Sequence, residues 1–247
     1  MTQGLESLSS MEYPGRVVLI GQDLSGENTV IIYAITGRSP SSQARKLELE
    51  DNSVWAKPTD EETLKEGNRE LLIYPSIQFT PQGIAISNGK QTSDIGMALA
   101  QSRNPVEVLS SSLSTWDYEP DSPIFTPRIS GCVLAIGKAA LGIIRRGPDG
   151  ISKREFYDVP MTAGRGKMIA TYSGENRDPL PSFEEEPVEI GIQAKRADEM
   201  AEAVYEALGP EVGKDDFRVS VACVFARDFN ALQNEIYIIN RHEKIRS

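Results

Sequence analysis

The sequence predicts an α+β fold in which two largely antiparallel sheets carry helices on their outer faces. Apolar, β-branched runs recur in pairs that are joined by short polar turns, a pattern typical of β-hairpins. Helical spacing of apolar residues occurs in only two regions. Because strands and helices do not alternate strictly along the chain, a parallel doubly wound sheet is disfavoured.

The first predicted strands cover residues 16–23 and 29–37 and form a hairpin, and residues 45–51 and 54–58 are expected to continue the same sheet. Residues 59–68 are polar and charged, which predicts a loop or a short surface helix. A second hairpin covers residues 70–80 and 82–89. Further strands are predicted at residues 128–137, 139–146, 166–174, 217–228 and 235–242.

Two helical regions are predicted. Ile95, Leu99 and Val106 recur at helical spacing from Asp94 to about residue 116. A break near residues 102–104 divides this region, because Asn104 can cap a second helix whose first position is Pro105. The other helix covers residues 194–209 and is stopped by a Gly-Pro pair. Residues 174–187, rich in proline and acid, are expected to form an exposed connection.

The composition of the chain argues against several classes of function. The chain has 247 residues and a net charge of −10, so nonspecific nucleic-acid binding is not expected. Cys132 and Cys223 lie in apolar runs and His242 is the single histidine, so we expect inert thiols and no zinc or iron site of the usual kind, and the sequence offers no support for an oxygen-only magnesium site. Residues 1–12 form a polar leader without signal-peptide character, and residues 13–247 one domain. No membrane association is expected, and the location is expected to be cytoplasmic.

Familiar catalytic motifs such as GxGxxG, GxxxxGK[ST], GxSxG and HExxH do not occur in the sequence. Instead, short polar motifs stand at the ends of predicted strands. Each is weak by itself, since Asn-Gly is usually a turn and a single arginine beside a strand is usually a surface residue. These motifs are Gly15-Arg16, TGRS at 36–39, Arg45, Tyr74, SNGKQT at 87–92, WDYEPD at 116–121 and TPRIS at 126–130.

Taken in order, these segments resemble the archaeal-type IMP cyclohydrolase family over nearly the whole chain, from Tyr13 to about Glu243. The likeness also includes an IATY segment at 169–172. It departs from the family pattern where SNG continues as Lys-Gln-Thr, since Ser-His-Thr is expected there, and in extra residues near 121–125, 174–187 and 209–216. The resemblance implies a four-layer αββα sandwich similar to the N-terminal nucleophile hydrolases.

The resemblance further implies cyclisation of 5-formamidoimidazole-4-carboxamide ribotide to inosine monophosphate (IMP), which needs no cofactor. Burial beside Trp116 and Tyr118 would raise the pKa of Glu119 and suit it to proton transfer. The expected site residues fall into two groups. Arg38, Tyr74 and Glu119 are expected to be catalytic, and Arg16, Arg45, Arg128, Asn88 and Gly89 to bind the substrate, the three arginines as candidates for its phosphate.

Two alternatives stay open. The chain can be a divergent relative that binds a purine nucleotide, or another ribotide, without closing a ring. It can also be an amidohydrolase that uses Thr2 as an N-terminal nucleophile after removal of the initiator methionine, although Thr2 precedes the first strand by more than ten residues. The sequence also leaves a homo-oligomer open.

Overall fold

Thirteen strands occur in residues 4–60, 72–227 and 229–244, the part of the chain that the computed structural model describes. Every pairing between these strands is antiparallel. The strands are β1 (Arg16–Gln22), β2 (Thr29–Thr36), β3 (Arg45–Glu50), β4 (Ser53–Pro58), β5 (Tyr74–Thr80), β6 (Gly83–Ser87), β7 (Arg128–Leu134), β8 (Ala139–Arg146), β9 (Ser152–Val159), β10 (Arg165–Ala170), β11 (Val188–Gly191), β12 (Arg218–Ala226) and β13 (Glu235–Asn240).

The strands form two sheets. The six-stranded sheet has the order β11-β10-β1-β2-β12-β13, and the seven-stranded sheet has the order β3-β4-β5-β6-β7-β8-β9. The two sheets contact each other through β1 and β7, and through β3 with β12 and β13. One large hydrophobic cluster takes residues from both sheets. The fold is therefore mixed α/β with two antiparallel sheets that share a core.

Each sheet carries helices. The helices are α1 (Glu6–Ser9), α2 (Pro40–Gln43), α3 (Gln91–Ala98), α4 (Pro105–Ser112), α5 (Ala197–Ala207) and α6 (Arg241–Lys244). The longest, α5, packs on β12 and β13, whereas α3 packs on β5 and β6 and α4 on β7 and β8. A second apolar cluster lies between α3, α4 and the seven-stranded sheet. None of the helices in the described ranges is long and apolar enough to cross a membrane.

A buried amide links the edges of the two sheets. Asn240, at the end of β13, accepts a hydrogen bond from the backbone N–H of Leu47 at 2.9 Å and donates one to the Leu47 carbonyl at 3.0 Å. The Ser220 hydroxyl also donates to the Asn240 oxygen, at 2.6 Å. Because buried amides are costly unless they are paired, these contacts fix the position of β3 beside β13.

Several predicted elements are confirmed, including the hairpin of β1 and β2 and the second helix of the divided region. The Asn104 side chain accepts from the Val106 N–H at 3.0 Å, and Pro105 opens α4. The first helix differs from the prediction, because α3 begins at Gln91 and ends at Ala98. The helical spacing of apolar residues continues beyond Ala98 into turns. Apolar periodicity alone does not distinguish such turns from a continued helix.

The prediction that residues 45–58 continue the first sheet is wrong. β3 and β4 belong to the seven-stranded sheet, and the neighbour of β2 is β12, which lies far along the chain. Strands β9 and β11 were not predicted. β9 is an edge strand with mostly half-buried polar residues, and β11 has only four residues, so neither shows a clear apolar pattern.

Two segments expected at the surface contribute to the core. Leu180 and Phe183 are buried, so the connection at 174–187 is exposed only in part. In the leader, Leu5 and Leu8 are buried in the main core, although few apolar residues surround them in sequence. Thr2 and residues 61–71, which include most of the polar segment at 59–68, lie outside the described residues.

The leader can be tested by truncating one side chain. Leu8 is fully buried, so Leu8→Ala is expected to lower the free energy of unfolding by about 2–4 kcal/mol through lost burial and the cavity left behind. Urea denaturation measures this change. The matched control is Leu24→Ala, because Leu24 is 47% exposed. Equal effects of the two substitutions would contradict packing of the leader on the core.

Candidate active site

A cavity of about 240 Å³ lies where strands of both sheets end on the same side of the molecule. The antiparallel registers bring the start of β1 to the ends of β2 and β10, and the start of β7 to the end of β6. Loops that leave these strands complete the walls. The lining residues are Tyr13, Arg16, Arg38, Ser39, Ser42, Arg45, Asn88, Glu119, Asp121, Ile124, Thr126, Thr171, Tyr172 and Leu180.

Arg16 and Arg45 place two guanidinium groups in this cavity from opposite sheets. Arg16 donates to the Thr36 carbonyl at 2.8 Å. Arg45 has a buried Nε with no hydrogen-bond partner among the described residues. Burial lowers the pKa of Arg45, and the positive charge of Arg16 lowers it further. Neither arginine has a carboxylate partner within the described part of the chain, so the pair favours an anionic ligand.

Gly15 allows Arg16 to take this position. Its φ of +74° lies in the left-handed region, and a Cβ at this residue would stand 2.1 Å from the Thr171 hydroxyl oxygen. That hydroxyl accepts from the Arg16 backbone N–H at 3.0 Å and donates to the Pro14 carbonyl at 3.1 Å. The Gly-Arg motif therefore joins the start of β1 closely to the residue that follows β10.

A pair of tyrosines lies close to the two arginines. The hydroxyl groups of Tyr33 on β2 and Tyr74 on β5 are 2.8 Å apart, and both side chains are fully buried. Burial, and then the neighbouring Tyr74, raise the pKa of Tyr33 well above its usual range. Both phenols interact electrostatically with Arg16 and Arg45. Tyr74 therefore lies next to the cavity, but it is not one of the residues that line it.

Glu119 supplies a carboxyl group to the cavity. Its side chain is 13% exposed, and its Oε1 is 3.5 Å from Arg128 Nη1. Burial raises the pKa of Glu119 and the Asp121 charge adds to this, whereas Arg128, Arg16 and Arg45 act in the opposite direction without cancelling the rise. A carboxyl group with a raised pKa in a cavity is suited to proton transfer.

Arg128 holds Glu119 from behind the cavity wall. Its Nε donates to the Asp117 carbonyl at 2.8 Å, its Nη1 donates to Gln91 at 3.2 Å, and its guanidinium lies 5.0 Å from the Trp116 ring centre. These contacts hold the guanidinium group in the wall, and Arg128 is not one of the residues that line the cavity. Neither Trp116 nor Tyr118 lines it, so the aromatic surroundings expected for Glu119 are not those of the cavity wall.

The SNG segment forms part of the cavity wall, and the side-chain amide of its asparagine is already hydrogen-bonded within the protein. The Asn88 side chain lines the cavity, but its oxygen accepts from the Ile129 N–H at 2.9 Å and its nitrogen donates to the Pro127 carbonyl at 2.9 Å. Gly89 does not line the cavity. A Cβ at Gly89 would stand 2.5 Å from Gln91 Oε1 and 2.9 Å from Arg128 Nη1, so a glycine leaves room for this pair.

Arg38 lies at a more exposed part of the cavity. Its Nη2 contacts Asp178 at 2.7 Å, its Nη1 donates to Asn176 at 3.2 Å, and its guanidinium lies 5.8 Å from the Tyr13 ring centre. The Asp178 side chain is 82% exposed, so this ion pair is weak and exchangeable.

The structure thus brings Arg16, Arg38, Arg45, Asn88 and Glu119 into one cavity and places Tyr74, Gly89 and Arg128 beside it. The sequence assigns no role to the other lining residues, although Ser39, Asp121, Thr126, Thr171 and Tyr172 belong to its TGRS, WDYEPD, TPRIS and IATY segments. Ile124 and Leu180 carried no signal. In the described residues, no group of three or more His, Cys, Asp or Glu side chains is placed to hold a metal ion.

A family model described as IMP cyclohydrolase-like protein matches residues 13–229, which include every lining residue of the cavity. The chain belongs to this family. It is 30% identical over 169 residues to an IMP cyclohydrolase of Methanothrix thermoacetophila, covering 68% of this chain and 78% of the relative. It is also 27% identical to an IMP cyclohydrolase of Methanococcus maripaludis, covering 78% and 88%, and 25% identical to one of Halobacterium salinarum, covering 79% and 85%. The predicted family is confirmed.

The raised pKa of Glu119 predicts a pH-dependent stability difference. The folded pKa lies above the usual value of 4.5, so the carboxyl group ionises first in the unfolded chain. Wild-type protein should therefore lose stability as the pH rises from 4.5 towards the folded pKa, whereas Glu119→Gln has no such ionisation. The melting temperature of the variant, relative to wild type, is expected to increase over this window.

Thermal melts at a series of pH values measure this difference. The control is Glu185→Gln, because Glu185 is exposed. A constant difference between Glu119→Gln and wild type across the window would contradict the raised pKa.

Proposed function

We propose that the chain is an IMP cyclohydrolase, which converts 5-formamidoimidazole-4-carboxamide ribotide to IMP with loss of water in purine biosynthesis. Its family and the names of its relatives support this proposal. The observation that carries it is the juxtaposition of Glu119 with the guanidinium groups of Arg16 and Arg45 in one cavity, where neither arginine forms a salt bridge within the described residues. An anionic ribotide would supply the direct salt-bridge partner that the two arginines lack among the described residues.

The reaction needs little from the protein besides positioning and proton transfer. The carboxamide nitrogen attacks the formyl carbon of the same molecule, a tetrahedral carbinolamine forms, and water leaves to give the aromatic ring. Because the reacting groups are tethered, the protein has to hold them in an attacking conformation. It also has to stabilise the developing oxyanion and move protons. Neither a redox step nor a cofactor is required.

Glu119 takes the role of general acid and base in this proposal. Its ionised form accepts a proton from the attacking carboxamide nitrogen and gives it to the formyl oxygen, which becomes the carbinolamine hydroxyl group. It then accepts the proton of the formamide nitrogen and gives it to that hydroxyl group, which leaves as water. The raised pKa supports both steps, because it brings the two forms closer in free energy at neutral pH. Arg128 limits the rise and fixes the direction in which the carboxyl group points.

The arginines of the cavity bind the substrate phosphate and polarise its formyl group in this proposal. Arg16 and Arg45 bind the phosphate, since they lie next to each other without a carboxylate partner in the described chain. Arg38 polarises the formyl oxygen, for which it has to exchange its weak contact with Asp178 for the substrate. Tyr74 lies behind the cavity wall and interacts electrostatically with Arg16 and Arg45. Asn88 and Gly89 maintain the conformation of the wall against which the base would lie.

The proposal also covers the architecture, the domain bounds and the cellular location of the protein. The helices on the outer face of each sheet support a four-layer αββα sandwich like that of the N-terminal nucleophile hydrolases. The core shared by both sheets supports one domain over residues 13–247. Buried free thiols at Cys132 and Cys223 suit a reducing cytoplasm, and the net charge of −10 is unfavourable for nucleic acid.

The direct test is to incubate the protein with 5-formamidoimidazole-4-carboxamide ribotide and to follow IMP by chromatography. Conversion well above the uncatalysed rate is expected. If the protein binds IMP but produces none, the alternative of a nucleotide-binding relative or an enzyme for another ribotide replaces the proposal.

Glu119→Gln is expected to lower kcat by about 10² to 10⁴, because proton transfer by the carboxyl group is lost. The affinity for IMP should change little, since glutamine keeps the shape of the side chain. Steady-state kinetics and calorimetry measure the two effects, with Glu185→Gln as the matched control. A wild-type kcat in Glu119→Gln would refute the role of this residue.

Arg45→Gln is expected to raise KM and to weaken IMP binding by about tenfold to a hundredfold, because a charged hydrogen bond to the phosphate is lost. The control is Arg103→Gln at an exposed position. Inosine, which lacks the phosphate, should bind the variant and wild type equally. A similar loss of inosine affinity would show that Arg45 does not act on the phosphate.

A further inference from the structure

A chain of three hydrogen-bonded side chains crosses the cavity wall beside Glu119. The Thr126 hydroxyl donates to Asp121 Oδ2, and the Thr126 oxygen is 2.9 Å from the Tyr172 hydroxyl. The Thr126 backbone N–H also donates to Asp121 Oδ1, at 2.7 Å. All three residues line the cavity. The roles proposed above use none of them.

The order of donors along this chain is fixed. A carboxylate only accepts hydrogen bonds, and a threonine hydroxyl has a single hydrogen to give. Since Thr126 gives its hydrogen to Asp121, its oxygen has to accept the hydrogen of Tyr172. The phenolic hydrogen of Tyr172 is thus directed into the wall, and its oxygen is left with lone pairs only.

The Tyr172 ring is also held in place. It stacks on Tyr13 with 5.6 Å between ring centres and 18° between planes, and its backbone N–H donates to the Pro14 carbonyl at 3.2 Å. Burial raises its pKa to about 12, so the phenol keeps its hydrogen at neutral pH. A rigid, neutral phenol whose hydrogen is already used presents a pure acceptor to the cavity.

We infer that Tyr172 selects the ligand by accepting a hydrogen bond from an N–H or O–H donor of the bound nucleotide, and that Thr126 and Asp121 set its direction. Tyr172 is therefore a specificity-determining residue, and Thr126 is a positioning residue that acts through it. The inference rests on the proposed ribotide ligand. The donor is an N–H of the base or a hydroxyl of the ribose, and the two sources can be distinguished by experiment.

The experiment measures binding of IMP, 2′-deoxy-IMP, 3′-deoxy-IMP and 1-methyl-IMP by calorimetry. Tyr172→Phe is expected to weaken IMP about fivefold, the size of one neutral hydrogen bond. The analogue that lacks the partner donor should bind wild type and Tyr172→Phe equally, which identifies the ribose or the base as the source. Tyr237→Phe, at a 40% exposed position on β13, is the matched control.

Thr126 is tested in the same assay. Thr126→Val removes the acceptor of the Tyr172 hydrogen and should weaken IMP about as much as Tyr172→Phe, whereas Thr126→Ser keeps the hydroxyl and should restore affinity. In the double variant with Tyr172→Phe, Thr126→Val should cause no further loss, because it acts only through the phenol. Melting temperatures establish that each variant is folded.

Unchanged IMP affinity in Tyr172→Phe, an equal loss for all four ligands, or additive losses in the double variant would overturn the inference. The proposed function fails separately, if wild-type protein binds IMP in the expected pattern but does not cyclise the formamido ribotide. Wild-type protein that binds none of the four nucleotides would overturn both.

Discussion

The cavity depends on the placement of two positive charges between apolar sheets. Arg16 starts β1 and Arg45 starts β3, and these strands belong to different sheets. The antiparallel order of both sheets brings the two strand starts to one end of the molecule. Because neither guanidinium group has a carboxylate partner in the described chain, the fold maintains a charge imbalance that a bound anion would relieve.

The apolar packing around this end keeps the charges close together. The shared core fixes the distance between the sheets, and the contacts of Asn240 with Leu47 fix the position of β3, on which Arg45 stands. The buried contact between Tyr33 and Tyr74 joins β2 to β5 close to both arginines. Packing and buried hydrogen bonds thereby offset the repulsion between like charges.

The loop that precedes β7 adds the opposite charge to the same space. Glu119 points into the cavity with Arg128 behind it, and Asp121 holds Thr126 and through it the Tyr172 phenol. One short segment therefore provides both an ionisable carboxyl group and a fixed acceptor. The cavity therefore combines positively charged arginines with a carboxyl group and a hydrogen-bond acceptor. This combination suits a ligand that carries both an anionic group and hydrogen-bond donors.

Local sequence patterns determined the hairpins, the cap of α4 by Asn104 and the family, because alternation, capping and ordered motifs are recorded within short stretches of chain. They also brought out five residues that line the cavity. Only the tertiary structure decided that β3 joins the other sheet, that Leu8 is buried, that Arg128 stands behind Glu119 and that Tyr74 lies below the wall. These features depend on contacts between distant segments, and the spacing of residues in one segment carries no information about which partner it will meet.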